Sequence, residues 1–159
     1  MTTFFRFVQL LSLGLWLGSD VFLSFVVAPG AFRILASRDQ AGAIVGYSLG
    51  LMHAGGVICG VVFLVALLSR TRTFGSFVSP AALCVVLMMT LTVVSQLAVS
   101  PRMVALRVQM GSIQATTAGN PLLAEFARLH QISVSLESGV LLAGFAALYL
   151  MAREFAPAS

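Results

Sequence analysis

The chain has no lysine, and its five acidic residues stand against nine arginines. Charged side chains fill only 9% of its positions, where a soluble domain carries about 25%. That shortage excludes a water-soluble globular protein and leaves no polar stretch long enough for a soluble catalytic domain. The formal charge of +4 and the isoelectric point near 10.1 do not indicate nucleic acid. The arginines are scattered and form no basic patch interleaved with aromatics. No phosphate-binding glycine loop, nucleophile elbow or H-E-x-x-H helix occurs, so no motif marks the chain as an enzyme. Cysteine is scarce as well. Cys59 and Cys84 match no metal-ligand spacing and read as small buried hydrophobes.

What fills the chain is hydrophobic, 59% of residues with a mean hydropathy of +1.03. Four apolar runs each exceed the ~20 residues that carry a helix across about 30 Å of hydrocarbon. They predict an all-α fold, a four-transmembrane-helix bundle with helices over about 4–28, 41–69, 74–100 and 121–153. A single integral membrane domain then covers 1–159. The first run is too long for a signal-peptide core and no A-x-A site follows it, so it is expected to stay in the protein. The arginines flank the runs, where a guanidinium reaches lipid headgroups. Arg70 and Arg72, in the tightest connection, put the termini on the cytoplasmic side, and a bacterial inner membrane is the expected location.

Pro29 and Pro101 close the first and third runs. Each precedes an arginine-bearing amphipathic stretch, over about 30–38 and 102–112, expected to lie at the membrane interface. Each stretch leads into a helix carrying one histidine. This layout predicts two related halves, each a helix pair with a proline-broken end, repeated in parallel about an axis along the membrane normal. Asn120-Pro121 is a start signal for the fourth helix.

Ionisable and amide groups inside the runs are the exceptions that need a reason, since each charged one costs roughly 2.5–3.5 kcal/mol at a helix centre. They are Asp20, His53, Gln96, His130 and Glu137. On the fourth helix Phe126, His130, Ser133 and Glu137 share a stripe. With Trp16, Asp20, His53 and Gln96 they are expected to line one polar pocket in the half of the bilayer nearer the prolines. Three uses of such a pocket stand open. His53, His130, Glu137 and Asp20 could ligate a copper-like metal ion or carry protons. His53 and His130 could be axial ligands of haem b, although their depths differ. Or the groups could only fix helix register, in a non-catalytic subunit or assembly factor of a membrane complex. Gly42, Gly46 and Gly50 form a ladder expected to let helices approach closely. The expected partners are the lipid bilayer and, through such faces, a second copy or a larger membrane complex.

Trp16-Leu17-Gly18-Ser19, Phe22, Phe25, Ala28-Pro29 and Phe32 resemble the transmembrane protein 205-like family of DUF4149-type four-helix membrane proteins. Phe126-Ala127-Arg128-Leu129-His130-Gln131-Ile132-Ser133 is similar to the same family, and the resemblance covers almost the whole chain. It implies the four-helix fold and no particular chemistry. More distantly the layout is similar to copper-resistance membrane domains of the CopD type and to four-helix protoporphyrinogen oxidases, which implies metal or porphyrin handling. The chain departs from the oxidase pattern, with no histidine in its first helix and Pro29-Gly30-Ala31 after it.

Overall fold

The computed structural model describes residues 2–154. Four helices long and apolar enough to cross a membrane make up the fold: α1 Thr2–Ile34, α2 Arg38–Thr71, α3 Pro80–Met110 and α4 Pro121–Arg153. No strand occurs among the described residues. The four-helix membrane architecture read from the hydrophobic runs is therefore the architecture of the molecule. At 1.5 Å per residue each helix is on the order of 50 Å long, so its ends project beyond the ~30 Å hydrocarbon layer.

Local chemistry sets the helix ends. Ser37 caps α2, its hydroxyl accepting the Gln40 N–H at 3.4 Å. Asn120 caps α4 by accepting the Leu122 N–H at 2.9 Å, with Pro121 pre-set for the first turn. α2 stops at Arg72, which takes a left-handed conformation (φ 59°). A short 3-10 turn, Phe74–Val78, follows it, held by Thr71 donating to Ser76 at 2.9 Å. Apolar character alone therefore places the start of the third helix too early. Pro80 fixes the first turn of α3 instead.

The prolines do not break α1 or α3. Each helix widens into one π turn, Leu23–Val27 in α1 and Ser95–Val99 in α3, and then continues through its proline. The N–H before each proline reaches five residues back, from Ala28 to Leu23 and from Ser100 to Ser95. A proline ring crowds the carbonyl four residues earlier and offers it no donor. A wider turn moves that carbonyl aside. The stretches expected at the interface, 30–38 and 102–112, are consequently helical for most of their length and extend α1 and α3. Asp39 ties the following connection down, accepting from the Ser112 hydroxyl at 2.6 Å and the Ile113 N–H at 2.8 Å.

α1 lies most broadly against α2 and α3 against α4, with lesser α2–α3 and α1–α4 contacts. Buried positions repeat between the pairs, at one constant shift from α1 to α3 and a longer one from α2 to α4. Gln9, Leu13, Trp16, Asp20 and Leu23 of α1 correspond to Ala81, Val85, Met88, Thr92 and Ser95 of α3. The π turns and prolines match at that same shift. In α2, His53, Gly56, Gly60, Phe63 and Leu67 correspond to Glu137, Val140, Gly144, Ala147 and Met151 of α4. The two histidines are therefore not counterparts. The counterpart of His53 is Glu137.

Lipid is as apolar as leucine, so the bundle is held by close van der Waals contact and by hydrogen bonds between helices. The interior is built on Trp16, Phe63, Val85 and Met88, while Phe25, Leu97 and Leu142 face outward. Gly56 and Gly144 make the tightest approaches: a methyl group on Gly56 would collide with the Trp16 indole, and one on Gly144 with Leu17. The ladder read from the sequence is not that face. Gly46 has open space around it, Gly50 meets only the Gln96 amide at 4.0 Å, and Gly42 meets the Arg107 side chain. Four-residue steps carry a stripe slowly around a helix, and the buried arc of α2 runs through His53, Gly56, Gly60 and Phe63.

Candidate functional site

Two helices of one symmetry class and two of the other meet at His53. It lies near the middle of α2 and is 1% exposed. Its Nε2 is 2.6 Å from Glu137 Oε1, at the corresponding level of α4. Its Nδ1 is 2.9 Å from Gln96 Oε1, in the π turn of α3. Both ring nitrogens thus point at oxygens, the arrangement in which an imidazolium donates twice. At 2.6 Å the histidine–glutamate contact is a short hydrogen bond, charge-assisted when the imidazole is protonated.

α1 supplies the second carboxylate. Asp20 is fully buried, and its Oδ1 accepts the Ser24 hydroxyl at 3.4 Å. It stands at mid-length of α1, as His53 does in α2 and Glu137 in α4. Asp20 Oδ2 and Glu137 Oε2 are buried without a hydrogen-bond partner among the described residues. So are the hydroxyls of Thr92 and Ser95 and the indole N–H of Trp16. Unpaired polar atoms in an apolar interior are costly, and two of these belong to the carboxylates of the site itself.

Of the residues singled out in the sequence, Asp20, His53, Gln96 and Glu137 occupy this level of the bundle, and Trp16 is buried one turn from Asp20, against Gly56. Ser133 is buried one turn away on α4. Phe126 lies nearer the proline-side end, where the Arg107 guanidinium sits 5.8 Å from its ring. His130 is exposed and takes no part. The buried arc of α4 is centred on Val140, Gly144 and Met151, and His130 falls at its edge, facing outward. The cluster also sits close to mid-length in all four helices, because α1 and α3 continue past their prolines. It is deeper than a proline-side pocket would be.

The pocket expected from the sequence included neither Thr92, which shares a stripe with Gln96, nor Ser95. Hydroxyls are ordinary in membrane helices, since they can return a hydrogen bond to their own backbone. One signal was present: counted from the prolines, Thr92 occupies the place in α3 that Asp20 occupies in α1.

The donor set bears on metal binding. No three His, Cys, Asp or Glu side chains among the described residues are placed to hold a metal ion. With His130 at the surface and both nitrogens of His53 already engaged, paired axial ligation of a haem does not fit these positions. Both cysteine thiols are free.

A family model described as "Domain of unknown function (DUF4149)" matches residues 11–112. No curated protein and no solved structure matches the chain.

Proposed function

The chain belongs to the DUF4149 family, whose description assigns no activity, and from the geometry of the site we propose that it is a multi-pass membrane protein whose His53–Glu137–Asp20 cluster takes up and releases protons within the bilayer. The observation that carries this reading is the 2.6 Å His53–Glu137 bond beside a second carboxylate with a free oxygen, all in the apolar core. Two carboxylates and one imidazole are electrically neutral only when two protons are distributed over the three groups. Moving a proton between Glu137 and Asp20 keeps that neutrality. Gln96 holds the imidazole in place as the second acceptor, and the unpaired hydroxyls of Thr92 and Ser95 offer further positions along a proton path. The same chemistry recurs in the proton relays of pumps and transporters, where intramembrane acid and histidine groups act in chains. Handling of a copper-like metal ion has weaker support, because the ligands it would need are not gathered. The termini are taken to face the cytoplasm, with Arg70 and Arg72 near the cytoplasmic headgroups.

Proton flux into proteoliposomes tests the reading, followed with a trapped pH-sensitive dye under an imposed potential. Wild-type vesicles are expected to acidify faster than protein-free ones. Glu137→Gln and Asp20→Asn are expected to fall to the protein-free rate while the protein stays folded. Wild-type flux indistinguishable from empty vesicles, or unchanged flux in both variants, refutes it.

A further inference from the structure

The other end of the bundle, where α1 begins and α4 ends, holds a second polar site. All four helices contribute to a cavity of about 100 Å³ there. It lies about 16 Å from Asp20, the rise of the eleven residues of α1 that separate Gln9 from Asp20. Trp16, Val85 and Met88 form an apolar layer between the two sites. Phe63, Leu67 and Met151 make its apolar floor, and Gln9, Arg70 and Glu154 its polar wall.

Two features of that wall point to a ligand. Gln9 is 1% exposed and lines the cavity, yet its Oε1 has no partner among the described residues. Arg70 Nε is likewise buried and unpaired. The guanidinium meets Glu154 only at 3.6 Å, through a carboxylate that is itself 46% exposed and therefore well solvated. Thr71 and Ser76 already spend their hydroxyls on each other and on nearby carbonyls. The cavity thus offers a cation with an unpaired N–H, whose one carboxylate neighbour is solvated and 3.6 Å away, beside an acceptor that lacks a donor. A single group can satisfy both if it carries negative oxygens and a hydrogen-bond donor together.

We propose that this cavity binds a phosphate group bearing its own donor, with the phosphate oxygens on Arg70 and the donor on the Gln9 amide. Hydrogen phosphate meets the requirement through its P–OH. A phosphatidylethanolamine headgroup meets it through its ammonium. Sulfate, which has no proton at neutral pH, does not. Phosphatidylcholine, whose quaternary nitrogen has no N–H, does not either. The guanidinium presents a planar fork suited to phosphate.

The full-length protein supplies the test in two arms. In detergent, inorganic phosphate is titrated against sulfate at constant ionic strength and the thermal midpoint is followed. In vesicles containing phosphatidylethanolamine and phosphatidylcholine, native mass spectrometry of the extracted protein identifies the retained lipid. A midpoint raised by phosphate and not by sulfate identifies a free anion. Selective retention of phosphatidylethanolamine identifies the headgroup. In whichever arm responds, Arg70→Gln is expected to abolish binding and Gln9→Leu to erase the preference for the ligand that carries a donor. Glu154→Gln removes the competing carboxylate from an exposed position. It is expected to strengthen binding about threefold, the scale of one solvated ion pair. This gain cannot come from a misfolded variant, so it keeps the test decisive if Arg70→Gln fails to fold. No response in either arm, equal response to phosphate and sulfate with equal retention of both lipids, or a Glu154→Gln variant that binds no better overturns the proposal.

Discussion

His53 is held from two sides, and that makes its neighbours unequal. Glu137→Leu leaves a ring N–H facing hydrocarbon, whereas Glu137→Gln still accepts from it. The leucine variant is therefore expected to lower the thermal midpoint in detergent more than the glutamine variant. Combining His53→Leu with Glu137→Leu removes both partners, and the double variant should recover part of the loss. The coupling should exceed about 0.5 kcal/mol, and strictly additive losses would show that the two side chains do not act as a pair. Asp20→Asn goes the other way. It removes a carboxylate that the single imidazole cannot also neutralise, so stability is expected to rise by about 1 kcal/mol even as proton flux is lost. These residues were conspicuous in the sequence because each interrupts a long apolar run. His130 interrupts one too, and shares a stripe with Glu137. A stripe identifies a face of a helix but not where on that face the neighbouring helices stop, and this is why the two part company in the structure.

Helix contacts in this bundle depend on where side chains are missing. Leucine at Gly56 or Gly144 must displace Trp16 or Leu17, and each is expected to cost at least about 2 kcal/mol, within the range of overpacked cores. Leucine at Gly46 points into open space and should change stability by less than about 0.5 kcal/mol, the usual range for surface positions. Thermal unfolding of the three variants in one detergent checks the order, and a loss at Gly46 equal to that at Gly56 would contradict it. The number of the helices was plain from hydropathy, but not the ends of the first and third. Their prolines did not settle those ends, because proline chemistry permits either a break or a widened turn. The choice depends on whether apolar contacts beyond the proline reward continuing. Leu106, buried beyond Pro101, is one such contact.

The molecule as a whole is two similar helix pairs facing each other, and its acid–base pair lies where the halves meet. Exchanging the partners, His53→Glu with Glu137→His, keeps an acid opposite a base. The double exchange is expected to fold with a thermal midpoint close to the wild type, while either single exchange sets two like groups together and falls well below it. A double variant no better than the singles would show that the surroundings of the halves, with Asp20 on one side and Thr92 on the other, dominate over the symmetry. The repeat was visible in the sequence as layout, but its register was misread from the histidines. Only the buried positions, which sequence cannot supply, align His53 with Glu137.

That alignment has a consequence for how such a protein can arise. A dimer of two identical hairpins brings each residue near its axis against its own copy, so it could offer only histidine against histidine or glutamate against glutamate. Placing acid against base at that point requires two copies free to diverge, and joining them in one gene supplies that freedom. Divergence of the two halves is thus a chemical precondition of the site, and a symmetric homodimer of either half would lack it.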